Sequence, residues 1–513
     1  PSGAYIPFSE GTYKDSGDRN EVLINKGGAI FELFPGSSLN VPAEKWTKNG
    51  GPSSLNDPVP WSTSAAAIFD YDNDSLPDIY IGNWYMAYGY ALDSLNDRLF
   101  RGKGAGVFED ATQKSGLLLP FGMPYKDPPD GEKQYNHPKP TYGVAHCDIN
   151  NDGLQDILVA AYGRQWNDLF LNNGDGTFAN IGKASGLAGD DIIDYSDNQN
   201  YLCFCKSSPD KCPEGLKQPQ IQCKSNMWNP AVDGHPFRLN GNTFGIYCSD
   251  FDNDGDIDLF LAETTHWWAG KSSDRSQILI NGGEAGNYKF ERPGLAAMGI
   301  ERKYKETDWN EGDHHALWLD ADNDGLDDLF VLASYYPGQH GYFFRQKADH
   351  TFEDATMISG LGLHDPNGAA LLDYDLDGDV DILVSYLDAN GWEKEHARLF
   401  ENKAGEANNS VRVTLKGKGE AGYSGTNAIG ARVVVKAGDT VMTKEIYGGQ
   451  GGFGQQNEFP LTFGLGDYCA PLEITVRWPN SSKTGSVYHN VKPNAHVLIA
   501  EGDAGVEYLK FFE

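Results

Sequence analysis

The chain contains no run of 18 apolar residues, so no segment reads as a membrane-spanning helix. It has no P-loop, no Gly-x-Gly-x-x-Gly behind a strand, no Gly-x-Ser-x-Gly elbow and no His-Glu-x-x-His. Nucleotide chemistry, hydride transfer and zinc proteolysis therefore lack their sequence carriers. Long helical periodicities are scarce. Basic residues are in deficit, with 41 Lys and Arg against 73 Asp and Glu over 513 residues, for a formal net charge of −32. A chain this acidic is expected to avoid nucleic acid and anionic membrane. It begins at Pro1 rather than Met, which is expected of a mature protein freed of a signal peptide and hence secreted.

The acid is not scattered. It recurs in five loops whose ligand positions are Asp70, Asp72, Asp74 and Asp78; Asp148, Asn150, Asp152 and Asp156; Asp250, Asp252, Asp254 and Asp258; Asp320, Asp322, Asp324 and Asp328; and Asp373, Asp375, Asp377 and Asp381. Oxygen donors at positions 1, 3, 5 and 9, a carbonyl at 7 and a turn residue at 6 suit Ca²⁺, a hard cation that takes six to eight oxygens. The loops hold 19 ligand carboxylates, and about five Ca²⁺ would bring the net charge to about −22. Their role is expected to be structural, with Asn150 and Ser75 marking the weaker pair of sites.

Strands, not helices, flank the loops. Ser64–Phe69, Thr141–His146 and Thr243–Tyr247 lead in; Ile79–Ile81, Ile157–Ala160, Leu259–Leu261, Leu329–Leu332 and Ile382–Val384 lead out. These β-branched and aromatic runs between Asp/Asn/Gly turns place each cation in a β-hairpin. A second hairpin follows at Arg98–Phe108, Asp168–Phe178, Gln277–Gly283 and Leu399–Asn402, and Glu21–Phe31 is a copy without its own loop. Loop plus hairpin makes a four-stranded unit, and the loop starts lie 78, 102, 70 and 53 residues apart. Radial repetition of such units gives an all-β propeller, expected to have six or seven blades. The N-terminal hairpin implies closure with strands from a distant part of the chain.

The loop repeats resemble the FG-GAP repeats of integrin α-chain propellers. The segment from about 408 to 501, through Ile429-Gly-Ala-Arg-Val-Val-Val, Gly448-Gly-Gln-Gly-Gly-Phe, Phe463-Gly-Leu-Gly and Val476-Arg-Trp-Pro-Asn, resembles the ASPIC/UnbV domain. Together the two are similar to the cartilage acidic protein 1 family, a resemblance that covers most of the chain and implies a secreted calcium-binding propeller. It fixes no single activity, since related propellers serve adhesion and a sugar dehydratase. The domains expected are residues 1–405 for the propeller, with a Cys-bearing insertion near 188–240, and residues 406–513 for the C-terminal β module.

Seven cysteines fit an oxidising compartment. Cys203, Cys205, Cys212 and Cys223 crowd the insertion, where disulfides are expected and a zinc site is the alternative. Cys147 and Cys248, beside successive loops, are candidates to pair, and Cys469 is left over. Asn408 and Asn480 head glycosylation sequons in expected turns. Long loops are expected at 35–60 and 119–140.

With the calcium loops on one rim, the other rim collects Trp61, Asn83, Trp84, Tyr85, His137, Tyr142, Tyr162, Arg164, Glu263, His266, Trp267, Trp268, Asp313, His314, His315, Tyr335, Tyr336, Tyr386, Asp388 and Trp392. Such a mouth suits a polar organic ligand or a sugar ring. The sharp reading is a lyase- or dehydratase-type site. His314 or His315 is the base, only one of the pair facing the channel; Tyr162 or Tyr386 is the acid; Arg164 holds a carboxylate; and, as an alternative to the base role, His314 and His315 with Asp313 join His266 and Glu263 to offer an additional divalent metal a place. The competing readings are an extracellular module that binds a glycan or protein there, and a calcium-binding matrix protein with no small ligand. Aromatics at strand ends commonly serve packing between blades.

Overall fold

A computed structural model describes residues 22–26, 28, 30–34, 39, 63–84, 94–120, 137–190, 192–225, 227–230, 233–234, 241–304, 306–333, 336, 339–387, 395–483 and 485–512. Trp61, Tyr85, Tyr335, Asp388 and Trp392 of the expected rim lie outside the described residues, as do most of the two long loops. A two-stranded hairpin, β1 (Leu23–Asn25) and β2 (Phe31–Leu33), precedes the blades. Blade one is β3 (Thr63–Phe69), β4 (Asp78–Asn83), β5 (Arg98–Gly102) and β6 (Phe108–Asp110). Blade two is β7 (Thr141–Cys147), β8 (Asp156–Ala161), β9 (Asp168–Asn172) and β10 (Phe178–Asn180). Blade three is β11 (Thr243–Ser249), β12 (Asp258–His266), β13 (Gln277–Asn281) and β14 (Phe290–Glu291). Blade four is β15 (Asn310–Leu319), β16 (Asp328–Ala333), β17 (Tyr342–Gln346) and β18 (Phe352–Asp354). Blade five has three strands, β19 (Pro366–Leu372), β20 (Asp381–Leu387) and β21 (Glu395–Phe400).

Within each blade the pairing is antiparallel, and the acidic loop joins the first two strands. Alternate side chains of each strand face the two neighbouring blades. Thus Ala67 and Tyr80 of blade one pack with Val144 and Ile157 of blade two, while Ala145 and Leu158 of blade two pack with Ile246 and Leu259 of blade three. Tyr247 and Phe260 continue to Ala316 and Leu329, and Leu317 and Phe330 to Ala369 and Ile382. The β1–β2 hairpin lies beside blade one, through Val22 against Ile81 and Phe100. The β17–β18 hairpin of blade four was not legible as a copy of the second unit. Its turn lacks glycine, and His350 takes the left-handed conformation at φ 59°.

The C-terminal module is two four-stranded sheets on one shared core that includes Val413, Val433, Ile474, Trp478 and Val497. One sheet is β22 (Asn409–Lys416), β25 (Leu461–Gly466), β28 (Ala495–Ala500) and β29 (Glu507–Phe511). The other is β23 (Arg432–Ala437), β24 (Thr440–Glu445), β26 (Leu472–Arg477) and β27 (Gly485–Val491). This module caps the loop rim and touches all five acidic loops. Ser75 Oγ donates to the Glu420 carbonyl at 2.8 Å, Lys483 Nζ to the Asp152 carbonyl at 2.8 Å, and Arg432 Nη1 to the Gly255 carbonyl at 3.4 Å. Lys444 meets Asp327 at 2.8 Å, and Arg412 meets Asp373 at 3.1 Å.

Between β24 and β25 the cap sends a glycine-rich finger, residues 447–458, down the inner strands. The Ile68 amide donates to the Gly448 carbonyl at 2.6 Å, Val144 to Gly451 at 3.1 Å, and Phe453 to Ser64 at 3.1 Å. The contacts run from the loop end of β3 at Ile68 to its far end at Ser64, so the finger traverses the channel. It folds back through a Gln450–Gln455 bridge and returns to blade five, where the Glu458 amide donates to the Leu371 carbonyl at 3.0 Å. Glycine is required for this passage: a Cβ at Gly448 would strike the Ile68 carbonyl, and one at Gly451 the Tyr247 hydroxyl.

Candidate functional site

The loops close on their own carboxylates. Asp70 accepts from the amides of Asp74 at 3.0 Å and Ser75 at 2.7 Å, and Asp78 from Tyr71 at 2.9 Å and Gly102 at 2.7 Å. Loop two repeats this: Asp148 accepts from Asp152 at 3.0 Å and Gly153 at 2.8 Å, and Asp156 from Ile149 at 3.0 Å and Asn172 at 2.8 Å. Position 4 is left-handed in every loop, with φ of 54° at Asn73, 59° at Asn151, 60° at Asn253, 55° at Asn323 and 62° at Leu376. Asn tolerates that conformation, which explains its recurrence.

Four loops bring three carboxylates each within 4.8 Å of one another: Asp70, Asp72 and Asp78; Asp250, Asp252 and Asp254; Asp320, Asp322 and Asp324; and Asp373, Asp375 and Asp381. The side chains fit a cation. Asp72 Oδ1 and Asp258 Oδ2 are buried without hydrogen-bond partners. Burial pushes Asp70 and Asp250 up to about 7 and Asp320 and Asp328 up to about 8. Loop two differs, because Asn150 supplies an amide oxygen and its Nδ2 donates to Asp152 Oδ2 at 3.2 Å. Among the described residues, the groups of three or more ligating side chains lie in the loops, and none includes His266, His314 or Glu263.

The opposite rim is where the first strands begin and the second strands end. Trp84 and Tyr142 meet edge to face at 4.9 Å, and Trp84 lies 4.6 Å from Tyr162. Tyr142 sits 3.9 Å from Phe244, on which His314 stacks at 4.2 Å. Phe453, from the tip of the finger, joins them at 5.3 Å from Tyr142. Rings from blades one, two, three and four and from the cap thus converge on one surface. Sequence reasoning singled out Trp84, Tyr142, Tyr162 and His314 by their place at strand ends. It missed Phe244 and Phe453, the latter because nothing in a Gly-rich run of the C-terminal module marks it as a channel occupant.

The other candidates disperse around this platform. His315 faces the finger, with Nδ1 at 3.1 Å from the Tyr247 hydroxyl. The register shift between Asp313 and His315 separates the two neighbouring histidines onto different surroundings. Burial holds His314 near 3 and His315 near 4, so both rings are neutral at physiological pH. His266 meets the Tyr336 hydroxyl at 2.8 Å, and Arg164 lies over the Trp268 ring at 5.6 Å and 3.8 Å from Asp233. Glu263 is fully buried; it accepts from Thr243 Oγ1 at 2.7 Å, and burial pushes its carboxyl well up. Tyr386 stacks on His396 at 5.4 Å in blade five, with Arg398 over its face at 5.0 Å.

The disulfide-bearing insertion stands at the same rim. Cys203 pairs with Cys223 and Cys205 with Cys212, which removes the zinc alternative. Asn198 caps the helix Gln199–Ser207 and reaches the Ala269 carbonyl at 3.2 Å, fastening the insertion to blade three. Cys147 and Cys248 form the third disulfide, between blades two and three, and Cys469 is an exposed thiol. The sequon at Asn480 is not open to a glycan: the residue is buried and its amide donates to Glu501 at 2.8 Å. The Asn408 amide donates to the Asp322 carbonyl at 2.7 Å.

Fold and site define a class: a β-propeller of FG-GAP-like repeats capped by an ASPIC/UnbV module. The FG-GAP-like repeat family matches residues 148–196 and 320–384, and the ASPIC and UnbV family matches residues 421–506. The chain is 24% identical over 353 residues to cartilage acidic protein 1 of Xenopus tropicalis, covering 66% of this chain and 41% of that protein. It is 24% identical over 284 residues to a T-cell immunomodulatory protein homolog of Plasmodium yoelii yoelii, covering 50% and 36%. The chain thus spans less than half the length of these curated relatives. Among solved structures it is similar to the exotype rhamnogalacturonan lyase YesX, at TM-score 0.31 and 11% identity over 92% of this chain and 69% of that one. A family 117 glycoside hydrolase of Zobellia galactanivorans gives TM-score 0.27 and 12% identity over 66% and 89%.

Proposed function

We propose that this is an extracellular, calcium-stabilised propeller that binds a neutral carbohydrate-like ligand at the rim opposite its acidic loops. The observation that carries this reading is the convergence of Trp84, Tyr142 and Tyr162 on the rim opposite the acidic loops. Such rings offer a face to the C–H side of a pyranose and hydroxyl and indole groups to its polar edge. The net charge of −32 disfavours an anionic ligand. Three disulfides and the relationship to cartilage acidic protein 1 support an extracellular setting. The loops hold Ca²⁺ as scaffold, with about five ions when loop two is filled.

Binding is favoured over acid–base elimination. A general base works best with a pKa near the operating pH, and burial holds His314 near 3. Saturation-transfer NMR with the methyl pyranosides of glucose, galactose and mannose tests the reading. Transfer to at least one, lost in Trp84→Ala, is expected. No transfer to any of the three would overturn it.

A further inference from the structure

Phe453 departs from its surroundings in two ways. It is the aromatic side chain of the run Gly448–Gly454, which otherwise holds glycines and Gln450, and it is 59% exposed at the far mouth of the channel. It also holds a left-handed backbone, with φ of 58°, a conformation that bulky residues avoid. Glycine occupies both flanks and would adopt this turn without strain. A strained, exposed aromatic in a run of glycines points to function rather than to packing. Its location gives the function content, since the ring lies 5.3 Å from Tyr142 and 6.2 Å from His315.

We propose that Phe453 is a ligand-contacting residue, delivered by the C-terminal module through the propeller channel to complete the pyranose platform of Trp84, Tyr142 and Tyr162. This rests on reading that rim as a carbohydrate-binding surface. The site is then shared between two modules: the propeller supplies one part of the aromatic wall, and the cap supplies the part at the channel axis. The finger's backbone bonds fix where that part stands. Val144 donates to the Gly451 carbonyl at 3.1 Å and Gly143 bridges Gly452, so the tip is registered on the strand that carries Tyr142. The platform is thereby preassembled, and a ring entering it meets faces already held in place.

The alternative is that Phe453 is a knob that keeps the finger from slipping back. The two roles separate in Phe453→Gly, which removes the ring and relieves the left-handed backbone. A ligand contact predicts at least a tenfold weaker Kd for the methyl pyranoside bound by the wild type, measured by NMR titration, with an unchanged or higher melting temperature. Phe453→Tyr should retain binding. Wild-type affinity in Phe453→Gly, with binding still lost in Trp84→Ala, would overturn the role of Phe453 and leave the sugar-binding rim standing. A lowered melting temperature with wild-type affinity would establish the knob. Absence of wild-type binding to all three methyl pyranosides would overturn both readings.

Discussion

Replacing Arg432 by Ala asks whether the cap and the blades are one energetic body. The side chain is 8% exposed and spans the boundary. Nε donates to Glu445 at 2.8 Å, Nη2 to the Asp148 carbonyl at 2.9 Å, and Nη1 to Asn151. Its loss leaves the Glu445 carboxylate, 0% exposed, without its bonded guanidinium; the basic side chain that remains beside it, Arg477, is bonded to Asp148 and lies 3.9 Å from Glu445. Breaking a buried pair costs ~3–5 kcal/mol, because the surviving charge stays desolvated. Arg477 offsets part of this, so a loss of about 3 kcal/mol is expected. Against a folded stability of ~5–15 kcal/mol, that is a large fraction. Urea unfolding followed by tryptophan fluorescence would measure it as a shift in midpoint.

The double variant Arg432→Ala/Glu445→Gln sharpens the assay. A neutral amide keeps the shape of Glu445 and its acceptance from the Asp148 amide, found at 3.2 Å. If the cost comes from an orphaned charge, the double variant should regain about 1–2 kcal/mol over the single one. A loss below ~1 kcal/mol in the single variant, or no recovery in the double, would refute the claim that the buried charge network holds the cap.

Chelation should lower the melting temperature and expose the cap–propeller boundary to protease, with both restored by Ca²⁺, since binding at ~100 times Kd contributes about 2.7 kcal/mol per site; an identical melt in chelator would sink the calcium scaffold. Cys147→Ser/Cys248→Ser opens a loop of 101 residues between two blades and should cost about 4–5 kcal/mol in urea unfolding, whereas a change near zero would show that the blades alone fix that distance. His315 is held near 4 by burial against an unfolded value of 6.5, so the folded state binds fewer protons in that window. The stability it contributes is present above pH 6.5 and lost as pH falls through 4, at most about 3 kcal/mol. His315→Gln should flatten that part of the pH–stability profile, and an unchanged profile would refute the assignment.

Much of the fold was legible because the loops are local. Asp at positions 1, 3, 5 and 9 and a turn residue at 6 are contiguous chemistry, and the β-branched flanks specify the strands directly. The same register made Cys147 and Cys248 candidates to pair, since each sits beside its loop on the first strand of a blade, and they do. The pairing within the insertion did not follow, because four cysteines in a segment without periodicity give no geometry. The finger was the least legible element. Gly448-Gly-Gln-Gly-Gly-Phe marks a module, but the strands it lies against, β3 and β7, are more than 300 residues away in sequence. The far rim was half legible: the strands flanking the acidic loops put Tyr142 and Tyr162 at their far ends, while the burial of Glu263 and the inward turn of His315 depend on neighbours from other blades and from the cap.

Charge placement ties the two rims together. The chain is poor in cations, yet the cap turns Arg412, Arg432, Lys444, Arg477 and Lys483 toward the acidic loops. Each bonds to a loop residue or its carbonyl, so the cap docks directly on the loops. The Ca²⁺ proposed for the loops and the basic side chains of the cap would oppose the same repulsion among carboxylates. On the proposed function, any coupling between Ca²⁺ binding and cap docking would be reciprocal, each changing the other by the same factor. The finger is continuous with β24, which carries Lys444 and Glu445, so its position in the channel follows from that docking. The tip that reaches the aromatic rim is thus set by the acidic rim on the other side of the ring. The finger's own bonds to β3 and β7, Ile68 to Gly448 at 2.6 Å and Val144 to Gly451 at 3.1 Å, then hold Phe453 at its depth.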